Sequence, residues 1–249
     1  MRSKIFIFAG IFYLVVSVFS CQESTEDKSG MAETDSLSNL AGESSERDKK
    51  LVELKKQIES ARYSKSILKY SPVIKKYAKR YGFDWRLIVA QIMQESRFHE
   101  QARSPVGARG LMQLMPRTER EISRELDFQY ILKNPRENIA AGIYHMKKQY
   151  SLFSHSTYNN RIKLSLAAYN CGAGRVFDAG DIARFHKYQP DQWKYIKVYL
   201  KMLRTQDWKI HLQVWPQGKP NHGYFYGYDE TITYVDNIWE MYEIYREIL

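Results

Sequence analysis

Cysteine is nearly absent: 249 residues hold only Cys21 and Cys171. A disulfide framework is thereby excluded, as is a zinc site built on paired cysteines. The six histidines, His99, His145, His155, His186, His211 and His222, form no HExxH arrangement, so no metal site and no cofactor are expected. Strand alternation long enough for a major sheet is missing, and there is no internal repeat. Acidic residues are also in deficit, 28 against 38 lysines and arginines.

What is present is unevenly placed. Residues 1–21 carry two positive charges and residues 22–47 a net five negative ones, which leaves +13 of the formal +10 on residues 48–249. A basic folded part attracts polyanions through summed Coulomb fields, so nucleic acid, anionic membrane and anionic wall polymer all stay open on charge alone. With 44% hydrophobic and 14% aromatic content, the chain has apolar material for one sizeable core.

Residues 1–20 read as an export signal: Arg2 and Lys4 precede an almost unbroken apolar run from Ile5 to Phe19, close enough to the N-terminus to suit cleavage. Val18-Phe19-Ser20-Cys21 resembles the lipobox of bacterial lipoproteins, although Leu is usual at the place of Val18 and a small residue at that of Phe19. The resemblance implies lipidation of Cys21. An ordinary signal peptide is the alternative, as is a long-range disulfide from Cys21 to Cys171. Export also removes the chain from cytoplasmic nucleic acid, and no nucleic-acid-binding motif is recognised. From Gln22 to Arg47 the chain is rich in Ser, Glu, Asp and Thr. Such a segment cannot bury enough surface to offset its ordering, and it reads as a flexible acidic tether.

From Asp48 onward the pattern is helical. Leu51, Leu54 and Ile58 recur at three and four residues, and Ile67, Ile74, Tyr77 and Tyr81 continue the rhythm until Gly82 stops it. Asp84 is placed to cap a helix from Trp85 to about Phe98, and further helices are predicted at 116–127, 136–153, 159–170, 190–204 and 229–248. Gly107 and Gly110 leave a loop or small hairpin between Ser104 and Met115. Gly172 and Gly174 fit a tight turn between helices better than a phosphate loop, which would need more glycines and a preceding strand. The predicted organisation is a signal peptide at 1–20, a lipidated cysteine and linker at 21–47, a helical lead-in at 48–65 and a catalytic domain at 66–249.

In the Trp85 helix, Ile88, Ile92 and Glu95 stand at i, i+4 and i+7, so the glutamate shares a stripe with two apolar side chains. Partial burial and the negative end of the helix dipole would both raise its pKa. A glutamic acid still protonated near neutrality can cleave a glycosidic bond. By position alone, a boundary glutamate satisfied by Ser96 or Arg97 explains it as well.

The surrounding residues carry more. Gln94-Glu95-Ser96-Arg97-Phe98 is followed by Ser104 to Thr118 (SPVGARGLMQLMPRT), then by Ala167 to Val176 (AAYNCGAGRV), and finally by Glu230-Thr231 and Tyr234-Val235. These four blocks, in this order, closely resemble the soluble lytic transglycosylase family, and they cover about residues 66–240.

The resemblance implies a mostly α, lysozyme-like helical domain with a small loop or hairpin element beside an active-site groove. It implies Glu95 as the only catalytic carboxyl, acting on the bond between N-acetylmuramic acid and N-acetylglucosamine of peptidoglycan. That glutamate would first protonate the leaving oxygen and then, as carboxylate, deprotonate the muramoyl C6 hydroxyl, giving a 1,6-anhydromuramoyl end. Ser104, Gln113, Met115, Tyr169, Asn170, Glu230 and Tyr234 fall where the family lines the groove or orients the glutamate. Each has a plainer alternative: a core methionine, a buried tyrosine, a helix-capping glutamate.

Two departures stand out. His99-Glu100 replaces the Asn-Pro usual after Phe98, which should alter a loop. Residues 205–228 form an aromatic, glycine-containing stretch expected to shape one end of the groove. The expected partners are glycan strands and, through the anchor, the bacterial envelope membrane, facing the periplasm and most simply the outer membrane. The competing functions are a goose-type hydrolytic muramidase and a catalytically silent wall-binding lipoprotein.

Overall fold

The structure, a computed structural model, describes residues 46, 48–58, 60–128 and 131–249. The signal peptide, Cys21 and nearly all of the acidic tether lie outside the described residues. The chain from Lys49 to Leu249 is one compact unit.

Residues 48–58 form helix α1, whose Leu54 and Ile58 are buried, and α2 spans Ala61–Tyr81. It is continuous across residues 65 and 66 and stops where expected, at Gly82, whose φ of 79° supplies the left-handed cap that a side chain would resist. Helix α3, Trp85–Ser96, starts at Asp84, whose carboxylate accepts the backbone N–H of Arg86 at 2.9 Å. Then follow α4 (Pro116–Leu126), α5 (Pro135–Ser151), α6 (Tyr158–Cys171), α7 (Ala173–Phe185) and α8 (Trp193–Tyr199). Two short 3₁₀ turns, at Leu200–Met202 and Thr205–Asp207, lead to α9 (Trp208–Val214) and the long α10 (Tyr228–Ile248).

Helix α3 is the centre of the fold. Seven consecutive residues, Leu87 to Met93, are buried, because α2 lies on one side of the helix and α10 on another. The predicted single apolar stripe is thus replaced by burial all round, the pattern of a helix with no solvent face. Helix α10 also packs on α6, α6 on α5 and α7, and α5 on α2. A smaller apolar cluster of Leu114, Ile122, Ile131 and Ala141 seats α4.

Three helices depart from the sequence expectation, one of them α9, which falls in the 205–228 stretch where no helix was predicted. The predicted 190–204 helix is a seven-residue α8 finished by a 3₁₀ turn. Helix α7 was not anticipated, because Gly174, Asp178 and Gly180 are all poor helix formers in isolation. Its stability comes from packing between α6 and α8, and tertiary burial overrides propensity. Gly172, with φ of 89°, joins α6 to α7 directly, which is the tight turn expected there.

Between Ser104 and Met115 no strand forms among the described residues. Pairing is confined to isolated antiparallel bridges, Arg103 with Arg109 and Arg109 with Leu114. No helix among the described residues is long and apolar enough to cross a membrane.

Candidate active site

A cleft of about 590 Å³ opens where four segments meet: the end of α3, the 104–115 loop, the end of α6 and the start of α10. Glu95 lies on its wall. Local backbone explains the placement. Helix α3 ends at Ser96, and both Arg97 (φ 49°) and Phe98 (φ 59°) take left-handed conformations, so the chain turns away sharply beyond the glutamate. Phe98 is buried and anchors that turn. The Ser96 hydroxyl donates to the Leu111 carbonyl at 2.9 Å, tying the helix end to the loop that forms the opposite lip. The sequence-based alternative, in which Ser96 or Arg97 satisfies Glu95, gives way to a partner on another helix: the Tyr234 hydroxyl donates to Glu95 Oε1 at 2.6 Å.

Burial pushes the Glu95 carboxyl up to about 8 from an ordinary 4.5; the Tyr234 hydrogen bond opposes that rise and the negative charge of Glu230 adds to it. A carboxyl with this pKa still carries its proton at neutral pH and can return to the carboxylate within the same cycle.

The loop is held by amides as well as by its buried Leu111, Met112 and Leu114. Asn138 on α5 is buried; its Oδ1 accepts the Met112 backbone N–H at 2.8 Å and its Nδ2 donates to the Arg109 carbonyl at 3.2 Å. Gly110, with φ of 81°, lies so close to this amide that a Cβ there would come within 2.5 Å of it. Gln113 has a positive φ of 43°, and its side-chain nitrogen donates to the carbonyls of Gly110 and Ala102 at 2.8 and 3.1 Å. The Ser104 hydroxyl accepts the Ala108 N–H at 2.9 Å and closes the preceding turn.

All eight site residues predicted inside the folded part reach this cleft: Glu95, Ser104, Gln113, Met115, Tyr169, Asn170, Glu230 and Tyr234. Met115 is exposed there, whereas its neighbour Met112 is core. The Tyr169 hydroxyl donates to the Met112 carbonyl at 2.7 Å, and its ring packs against His145 with centroids 4.9 Å apart. Burial pushes the Tyr169 and Tyr234 phenols well above their usual range, so both stay protonated as donors. Burial likewise depresses His145 to about 4, which leaves that ring neutral near pH 7. Asn170 Oδ1 accepts from the Thr231 hydroxyl at 2.7 Å.

Gln94, Val106, Ala108, Asp229 and Thr233 also line the cleft and were missed. Asp229 and Thr233 lie on the helix that carries Glu230 and Tyr234, one residue before each, a proximity the sequence already offered. Residues 205–228 contribute nothing to the cleft lining. They pack instead along α7: buried Asp178 accepts the His222 backbone N–H at 2.8 Å and pairs with its Nδ1 at 3.0 Å, and Asp181 accepts the Trp215 indole N–H at 3.1 Å. Cys171 is a free, half-buried thiol, and burial pushes it up to about 11. Among the described residues no group of three or more His, Cys, Asp or Glu could hold a metal ion.

Residues 72–192 match the family described as the transglycosylase SLT domain. Among curated relatives, a membrane-bound lytic murein transglycosylase F of Desulfosudis oleivorans is 33% identical over 182 residues, 72% of this chain and 37% of the relative. The protein of that name from Pseudomonas putida is 35% identical over 179 residues, 71% of this chain and 34% of its own length. The chain thus spans about a third of these relatives. Among solved structures, an inactive mutant of the lytic transglycosylase Slt of Pseudomonas aeruginosa is 28% identical with a TM-score of 0.46, over 72% of this chain and 24% of that one. The soluble lytic transglycosylase of Escherichia coli is 24% identical with the same TM-score and the same shares.

Proposed function

We propose that the protein is a peptidoglycan lytic transglycosylase that cuts the β-1,4 bond between N-acetylmuramic acid and N-acetylglucosamine without water, leaving 1,6-anhydro-N-acetylmuramic acid ends. The observation that carries this is Glu95: a carboxyl raised to about 8, on the wall of a cleft large enough for sugars, with a phenol donor on one oxygen.

In the first step Glu95 gives its proton to the bridging oxygen as the C1–O bond breaks and the N-acetylglucosamine hydroxyl leaves. In the second, the muramoyl C6 hydroxyl attacks C1 and its proton passes to the Glu95 carboxylate. The C1–O6 bond closes the ring, the acid is regenerated and no atom is gained from solvent. Ser104, Gln113, Asn170 and Tyr169 offer hydroxyl and amide groups along the cleft, the chemistry that binds sugar hydroxyls and acetamides, while Met115 supplies an exposed thioether against a sugar face.

The envelope is the place of action, with Cys21 as the lipid anchor, the domain facing the periplasm and the outer membrane as the support. The relatives named membrane-bound and the N-terminal signal pattern agree with this. No cofactor enters the scheme.

One observation favours a second reading. Asp229 and Glu230 line the same cleft as Glu95, and a second carboxylate is what a hydrolytic muramidase uses to activate water. Digestion of intact sacculi by the full chain in detergent, read by mass spectrometry, separates the two. The transglycosylase yields muropeptides lighter by one water; reducing ends alone would reverse the proposal in favour of hydrolysis.

A further inference from the structure

Gln91 stands one turn before Glu95 on α3, in a stretch that is otherwise apolar, and it is fully buried. Its Nε2 donates to Tyr234 Oη at 3.2 Å, and Tyr234 in turn donates to Glu95 Oε1 at 2.6 Å. Its own Oε1 is buried with no partner among the described residues. A buried amide with one unmatched oxygen is a liability that leucine or methionine of similar size would avoid. The orientation is nonetheless dictated. A phenol has one proton, and Tyr234 spends it on Glu95, so only the amide nitrogen can face the phenol oxygen.

We infer that Gln91 is a positioning residue: by donating to Tyr234 Oη it commits the phenol proton to Glu95 Oε1 and leaves Oε2 as the oxygen that carries the transferable proton. Oε2 makes no hydrogen bond among the described residues, and the residue lines the cleft. Were the phenol free to rotate, either carboxyl oxygen could hold the proton, and half the protonated population would present the wrong one. The amide also polarises the phenol and strengthens its bond to the carboxylate that forms midway through the reaction.

The inference rests on Glu95 being the acid of the proposed transglycosylase reaction. The ionisable groups facing that carboxyl are Tyr234, Glu230 and Asp229 from α10 and Tyr169 from α6. The cleft-lining side chains of the 104–115 loop (Ser104, Val106, Ala108, Gln113 and Met115) are all uncharged.

The test is sacculus digestion by the full chain in detergent across pH, with Gln91→Met, Tyr234→Phe, their combination and Glu95→Gln. Activity falls as pH rises through the pKa of an acid that must be protonated. Weaker phenol donation raises that pKa, so Gln91→Met should move the alkaline limb upward by roughly half a unit. It should also lower kcat by about tenfold with KM little changed. In the Tyr234→Phe background the same change should have less than about a twofold effect, since the relay is already cut. A folded Gln91→Met protein with the parental limb and kcat overturns the inference, and so does an equal loss in both backgrounds. Gln91→Asn keeps a buried amide but cannot reach the phenol, and it is read in the same way if the methionine variant does not fold. An active Glu95→Gln protein would instead defeat the underlying functional reading.

Discussion

Two acidic side chains, on α7 and on α3, have opposite surroundings. Asp178 on α7 is fully buried yet accepts two N–H groups from His222, one backbone and one ring. Glu95 on α3 accepts a single phenol O–H and is lifted to about 8. Polar groups given enough donors act as fasteners: Asp178 and its neighbour Asp181 clamp the 215–222 segment onto α7. A carboxyl given too few donors is an acid in waiting. The contrast teaches that burial alone does not separate structural from chemical carboxylates; the count of donors does.

The largest test of that contrast is at Glu95 itself. Glu95→Gln should lose roughly 10³-fold or more in turnover, within the range of general acid catalysis, with melting temperature at pH 5 within about 2 °C of the parent. Comparable stability with retained activity would erase the distinction between the two residues.

Asp178→Ala should behave inversely. Removing the acceptor strands two donors of the clamp and should destabilise by about 3 kcal/mol in a denaturant titration, while kcat per folded molecule changes less than about twofold. A parental midpoint would show that the clamp is ornamental.

Gly174→Ala sharpens the same side. In an exposed helix this change would stabilise by about 1 kcal/mol, but here the new Cβ would lie 2.3 Å from the His222 ring, which Asp178 holds in place. The sign should reverse, with a loss of about 2 kcal/mol; combining it with Asp178→Ala should give less than the sum. A stabilised Gly174→Ala protein would contradict the clamp.

The last effect is a pH dependence. Below 4.5 both folded and unfolded chains hold the Glu95 proton. Between 4.5 and about 8 only the folded chain keeps it, so this group's contribution to stability declines across that window and is level above it. The Glu95→Gln protein lacks the decline, so its stability advantage should grow from pH 5 to pH 8 by roughly 3 kcal/mol, read as a widening gap between thermal midpoints. A constant gap would place the carboxyl in solvent.

Much of this was readable before any coordinates. Asp84 and Gly82 bracket the turn into α3 through capping chemistry that depends on residue type alone, and the periodic apolar positions marked α1 and α2. Glu95 and its seven companions were legible because their blocks recur in a known order. Gln91 and Asn138 were not, because an amide inside an apolar run looks the same whether it fastens a loop, orients a phenol or merely tolerates burial; only the partner, 143 or 26 residues away, tells them apart. Helix α7 and the 205–228 packing were hidden for a related reason. Glycines that weaken an isolated helix are there to admit a neighbour, His222 beside Gly174 and Pro190 beside Gly180.

The amide of Asn138 bonds only main-chain atoms of the 109–112 turn, one N–H and one carbonyl. Buried Leu111 and Met112 and the Gln113 amide, which donates to the Gly110 carbonyl, complete the fixing of that turn, so the exposed Val106 and Met115 flanking it can be exchanged without redrawing the backbone. One distant position on another helix acts as the template, and a family of variants could diversify the mouth of the cleft while inheriting the same frame.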